Sequence, residues 1–103
     1  MSKFVTIAAC ESLANGDCRR VQVEDKEIAL FRVDDTFYAI ENECSHYGAP
    51  LCDGWVDGHV VTCPWHAWQF DVTNGRCMTV PDYDVASFPI RIEDGAVQIQ
   101  IPE

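Results

Sequence analysis

The chain has 103 residues, enough for one small domain, and 48% of them are hydrophobic. Seven basic against seventeen acidic residues leave a formal net charge of −10, which excludes a basic nucleic-acid-binding surface and attraction to an anionic membrane. Acidic charge suits steering toward a basic partner surface instead.

The N-terminus, MSKFVTIAAC, carries no apolar leader and no twin arginine, and nothing in the chain approaches the ~20 apolar residues of a membrane helix. A soluble, cytoplasmic protein is expected. The first β-prone run covers residues 4–8, followed by an Asn15-Gly16 turn signal. Residues 20–23 and 28–33 read as alternating strands. Asp34-Asp35 reads as a tight hairpin connection into the β-branched and aromatic run 36–40.

Residues 43–58 contain Gly48, Pro50, Gly54 and Gly58 and read as a loop with short structured pieces. A strand over 59–62 and an alternating segment over 67–71 follow, then Asn74-Gly75, a two-residue hairpin signal. Strands over 86–92 and 96–101 close the chain around a Glu93-Asp94-Gly95 turn, with Val97, Ile99 and Ile101 on one face. No helix is expected. Trp55, Trp68 and Phe70 read as core, and His59 as solvent-facing. The class is all-β, an antiparallel barrel or sandwich. Residues 1–42 and 81–103 form its base, and a loop-rich insert over about 43–80 projects from it.

Six cysteines lie at 10, 18, 44, 52, 63 and 77. An even count would imply disulfides in a secreted protein, but cytoplasmic thiols are reduced. Cys10, Cys18, Cys52 and Cys77 are therefore expected as reduced, partly buried side chains. Cys44 and Cys63 differ, because each has a histidine companion: Cys44-Ser-His46 and Cys63-Pro-Trp-His66.

Three occupants suit two such pairs. Zinc takes two cysteines and two histidines, but zinc fingers group like ligands together, and Cys-x-His is tight for one small ion. A [2Fe–2S] cluster needs two protein ligands per iron, so each loop can give one residue to each metal. The third option is a disulfide with two idle histidines.

The pattern Cys-x-His, sixteen residues, Cys-x-x-His resembles the Rieske iron–sulfur signature, as do YGAPL after the first pair and WQFDVTNG after the second. The resemblance implies one Rieske-type [2Fe–2S] cluster, with Cys44 and Cys63 on the inner iron and His46 and His66 on the outer. It also implies the Rieske-like fold, with 43–80 as the cluster-binding part.

Within the family, no membrane helix or catalytic domain points to a respiratory or oxygenase subunit. Ala49 and Trp65 occupy the positions of the respiratory type's extra disulfide. Ala67 and Trp68 follow His66 where that type supplies hydroxyl donors nearby. A potential toward the low end of the range of about −150 to +300 mV is expected. Small Rieske ferredoxins commonly have glycine where this chain has Ala67, and its size alone predicts little harm.

The chain thus resembles ferredoxins of bacterial ring-hydroxylating dioxygenase systems. The implied role is a non-catalytic, monomeric electron carrier between a flavin-dependent reductase and a terminal oxygenase, without nucleic-acid or membrane partners. The resemblance also admits the small subunit of an NADH-dependent nitrite reductase. A zinc-stabilised protein-interaction module is the alternative of another class. Tyr47, Trp65 and Pro81 are candidates for shielding the cluster, Trp65 also for docking a partner. Asp53, Asp57, Asp71, Asp82 and Asp84 are candidates for an acidic docking field.

Overall fold

The computed structural model describes the backbone of residues 2–43, 50–65 and 67–102. Among the described residues the strands are β1 (Ser2–Ala9), β2 (Cys18–Val23), β3 (Lys26–Val33), β4 (Thr36–Glu41), β5 (Trp55–Asp57), β6 (Val60–Thr62), β7 (Gln69–Asp71), β8 (Ser87–Phe88), β9 (Ile90–Glu93) and β10 (Ala96–Pro102). They form three antiparallel sheets in the orders β1-β10-β9, β2-β3-β4-β8 and β5-β6-β7. The arrangement is sandwich-like rather than a closed barrel. The only helical pieces among the described residues are 3-10 turns at Cys10–Ser12 and Leu51–Asp53.

The four-stranded sheet is covered on both faces. Ala29, Phe31 and Val33 of β3 pack with Leu51, Val61, Cys63 and Phe70. Ile28 and Leu30, pointing the other way, pack with Val97, Ile99 and Ile101. Double coverage explains why β3 is apolar at consecutive positions, where a half-exposed strand would alternate polar and apolar. It also makes β3 and β4 the platform on which the β5–β7 sheet rests.

The turns follow from sequence. Asp34 and Asp35 both have positive φ, 51° and 62°, as do Asp94 and Gly95, 51° and 76°. Two consecutive left-handed residues match the twist of the strands they join, and Asp and Gly tolerate that conformation. The β7 connection differs from the two-residue hairpin expected at Asn74-Gly75. Asp71 N–H bonds to Arg76 O, and Asn74 and Gly75 N–H groups both bond to Asp71 O, so residues 72–75 form a wider loop. The Asp71 carboxylate, accepting from Thr73 N–H and Oγ1, supplies local hydrogen bonds that stabilise it.

The expected strand over 86–92 is divided at Pro89, which lacks an N–H for the ladder. Ser87 and Phe88 pair with β4, whereas the residues beyond pair with β10. β5 falls within the region read as loop.

Candidate metal centre

The second Cys/His segment leaves the end of β6 and returns into β7. Cys63 N–H donates to Trp68 O at 2.7 Å, closing the loop between the two strands. Cys63 is fully buried, and its Sγ accepts a hydrogen bond from Trp65 N–H at 3.4 Å. A backbone donor aimed at a buried sulfur favours the thiolate, the form in which cysteine binds metal. The residue thus fits the role of a cluster ligand.

Ala67 turns the chain back with φ of 58°. The left-handed conformation costs an L-residue roughly 1–2 kcal/mol, and glycine escapes most of this penalty. Backbone handedness, not side-chain volume, sets the cost of alanine here. The expectation of little harm, based on size, is corrected accordingly.

The first segment is described at its two roots. Glu43 and Pro50 form an isolated antiparallel bridge on either side of residues 44–49. Cys44, His46, Tyr47 and Ala49 lie outside the described residues, as does His66. Asn42, at the loop entrance, is completely buried and uses both backbone and side chain. Its N–H donates to Glu27 O and its C=O accepts from Leu51 N–H at 2.6 Å. Its side-chain Oδ1 accepts from Cys52 N–H at 2.9 Å, and Nδ2 donates to Glu27 Oε1 at 2.6 Å. One residue therefore joins the entrance of the loop, its exit and the start of β3.

The roots of the two segments meet at Gly54. A Cβ there would lie 1.9 Å from Thr62 O, so only glycine permits the approach. Trp55 then pairs with Thr62, the residue before Cys63, while Leu51 and Cys63 share one buried cluster. The exit of the first Cys/His segment and the start of the second are thereby adjacent.

A third stretch lies alongside. Met78 N–H donates to Gln69 O, Gln69 N–H donates to Thr79 Oγ1, and Trp68 meets Tyr83 edge-to-face at 5.2 Å. Pro81 is exposed in this stretch. It borders an open cleft of about 580 Å³ that Asp71, Asp82 and Asp84 also line. The Asp84 carboxylate is further committed, its Oδ1 accepting from the backbone N–H of Cys77 at 2.8 Å.

Several side-chain expectations are settled. Phe70 is buried and Trp68 packs partly against the core. Trp55 is 64% exposed, which corrects its reading as core: the short β5 turns Val56 inward instead. Trp65 is 52% exposed. His59 is exposed, with Tyr38 edge-on at 5.7 Å.

Cys18 and Cys52 are joined in a disulfide with Cα atoms 5.4 Å apart, correcting the expectation that both are reduced thiols. No sequence spacing signals this pair, because 34 residues separate the two. Asn42 was equally silent, a single polar residue at the end of an apolar run. Cys10 and Cys77 are free thiols.

The Rieske [2Fe-2S] domain family matches residues 3–89. The chain belongs to that family. As a Rieske protein it takes a Rieske-type [2Fe–2S] cluster as its cofactor. The chain is similar to the ferredoxin component of the naphthalene 1,2-dioxygenase system of Pseudomonas putida, 34% identical over 100 residues and 96% of each chain. Among solved structures, it matches a chain in a complex of reduced oxygenase and oxidized ferredoxin in carbazole 1,9a-dioxygenase. That match has 33% identity and a TM-score of 0.86, over 93% of this chain and 91% of the other. A Mycobacterium tuberculosis chain assigned as the small subunit of an NADH-dependent nitrite reductase matches at 26% identity and a TM-score of 0.90, over 100% and 98%. Among the described residues, no helix is long and apolar enough to cross a membrane.

Proposed function

We propose that this chain is the ferredoxin of a ring-hydroxylating dioxygenase system, accepting single electrons from a flavin-dependent reductase and delivering them to a terminal oxygenase. Relatedness over nearly the whole length to a dioxygenase-system ferredoxin carries this reading. The similarity to a chain from an oxygenase–ferredoxin complex supports the oxygenase as acceptor. The protein is an electron-transfer component and catalyses no bond chemistry itself.

Cys44 and Cys63 are proposed to hold one iron, and His46 and His66 the other. The cluster supplies a one-electron redox centre, and neutral imidazole ligation gives it a higher potential than all-cysteine ligation. The chain supplies the surroundings. The Trp65 N–H favours the Cys63 thiolate, offsetting the burial that opposes its charge. Asn42 and Gly54 fix the roots of the two loops. Exposed Trp65 offers an aromatic contact beside the site, of a kind enriched at protein interfaces. The carrier is proposed to be cytoplasmic and monomeric, with residues 43–80 as its cluster-binding part. The likeness to a nitrite reductase small subunit sustains a second reading, as a subunit of that enzyme.

Reconstitution separates the two. The purified protein, a flavin reductase and NADH are combined with a ring-hydroxylating oxygenase and an aromatic substrate. Product that forms only when this protein is present supports the carrier reading. Stable association with a nitrite reductase large subunit, without electron delivery to any oxygenase, supports the second.

A further inference from the structure

The disulfide joins two parts of the molecule that are far apart in sequence. Cys18 begins β2, the edge strand of the four-stranded sheet. Cys52 is the middle residue of the 3-10 turn Leu51–Asp53 that follows the first Cys/His segment. Both cysteines are only partly buried, which leaves the bond within reach of a reductant. The next connection between β2 and this turn is an ion pair, Arg20 to Asp53 at 3.7 Å, between side chains 48% and 59% exposed. Such a pair contributes little on its own. The sulfur–sulfur bond is therefore the principal link between the β2 edge and the turn, and Asn42 anchors the same turn from the β4 side.

We propose that Cys18–Cys52 is a thiol–disulfide exchange site that takes a dithiol as its reductant, and that its state sets how firmly residues 50–53 are held to the base. In the exchange, one thiolate of the dithiol attacks a protein sulfur and the S–S bond breaks. The second thiol then displaces the mixed disulfide. Two electrons and two protons pass to Cys18 and Cys52, and the dithiol leaves as its own disulfide. With the bond open, the turn keeps its hydrogen bonds to Asn42 but loses its covalent link to β2. Local opening at the root of the first Cys/His segment becomes more frequent. This inference rests on the proposed cluster only for its consequence, faster cluster loss; the tether itself does not depend on it.

The experiment uses the purified holoprotein, treated or untreated with a trialkylphosphine, which cleaves disulfides with water to give phosphine oxide and two thiols. Amide exchange is followed over residues 50–57. Chromophore loss to an iron chelator is followed in parallel. The Cys18→Ser/Cys52→Ser double variant serves as control. The expected result is two phosphine-dependent alkylatable thiols at positions 18 and 52, with exchange and chromophore loss several-fold faster after reduction. The double variant should begin at the faster rates and ignore phosphine. Equal exchange in the oxidised and reduced protein would overturn the proposal, as would full alkylation of Cys18 and Cys52 before any reductant. A colourless preparation would count against the electron-carrier reading, and amide exchange alone would then decide the tether.

Discussion

Asn42 holds the amide of Cys52 at 2.9 Å, while the sulfur of the same residue is bonded to Cys18. The turn after the first Cys/His segment is thus secured through two atoms of one residue, from two different strands' ends. Replacing Asn42 by alanine leaves the Cys52 N–H and the Glu27 carboxylate without this partner. A buried polar group left unpaired costs about 1–3 kcal/mol, so Asn42→Ala is expected to lower unfolding stability by roughly 2 kcal/mol. Denaturant titration of the oxidised protein checks it. Asn42→Asp keeps the acceptor for Cys52 but sets a second carboxylate against Glu27, and a loss of similar direction is expected.

Ala67 offers the opposite case. Its φ of 58° suits glycine, and relief of left-handed strain outweighs the extra flexibility that glycine gives the unfolded chain. Ala67→Gly is expected to stabilise the protein by about 1 kcal/mol. An unchanged or lower melting temperature would show that the handedness of this residue costs nothing.

The net charge of −10 predicts salt-sensitive partner encounter. The rate of reduction by a basic-surfaced reductase should fall steeply between low and physiological ionic strength, as screening shortens the reach of the field. Stopped-flow reduction across a salt series measures this, and a flat profile would mean that the acidic surface serves solubility alone.

The reduction potential follows from the donors near the second segment. Trp65 supplies a backbone N–H to Cys63, while Ala67 and Trp68 carry no hydroxyl. Without those hydroxyl donors more charge stays on the sulfurs and the reduced state is disfavoured, so the midpoint should lie toward the low end of the range of about −150 to +300 mV. Spectroscopic redox titration gives the value directly.

Much of this was legible in the sequence because the signals are local. Alternation over 96–101 placed Val97, Ile99 and Ile101 inward, and all three are buried. The double aspartate at 34–35 announced a turn that left-handed geometry requires. Two Cys/His pairs at Rieske spacing named the family. What escaped notice depends on tertiary contact. The approach of Gly54 to Thr62, the meeting of Cys18 with Cys52 and the bonds of Asn42 to Glu27 and Cys52 all join residues with no periodic relation. Trp55 misled because aromatic residues usually seek the core, whereas the three-residue strand β5 has room to bury only Val56.

Two cysteines and two histidines, Cys44, Cys63, His46 and His66, are proposed to hold the [2Fe–2S] cluster of this chain. Electron paramagnetic resonance of the dithionite-reduced protein, with resolution of nitrogen hyperfine couplings, tests this ligation most directly. The expected spectrum is a reduced [2Fe–2S] signal with average g below that of all-cysteine clusters, and nitrogen couplings that disappear when both His46 and His66 are replaced by cysteine. A reduced cluster signal without nitrogen coupling, or a colourless protein that binds zinc and resists cluster reconstitution, would contradict it.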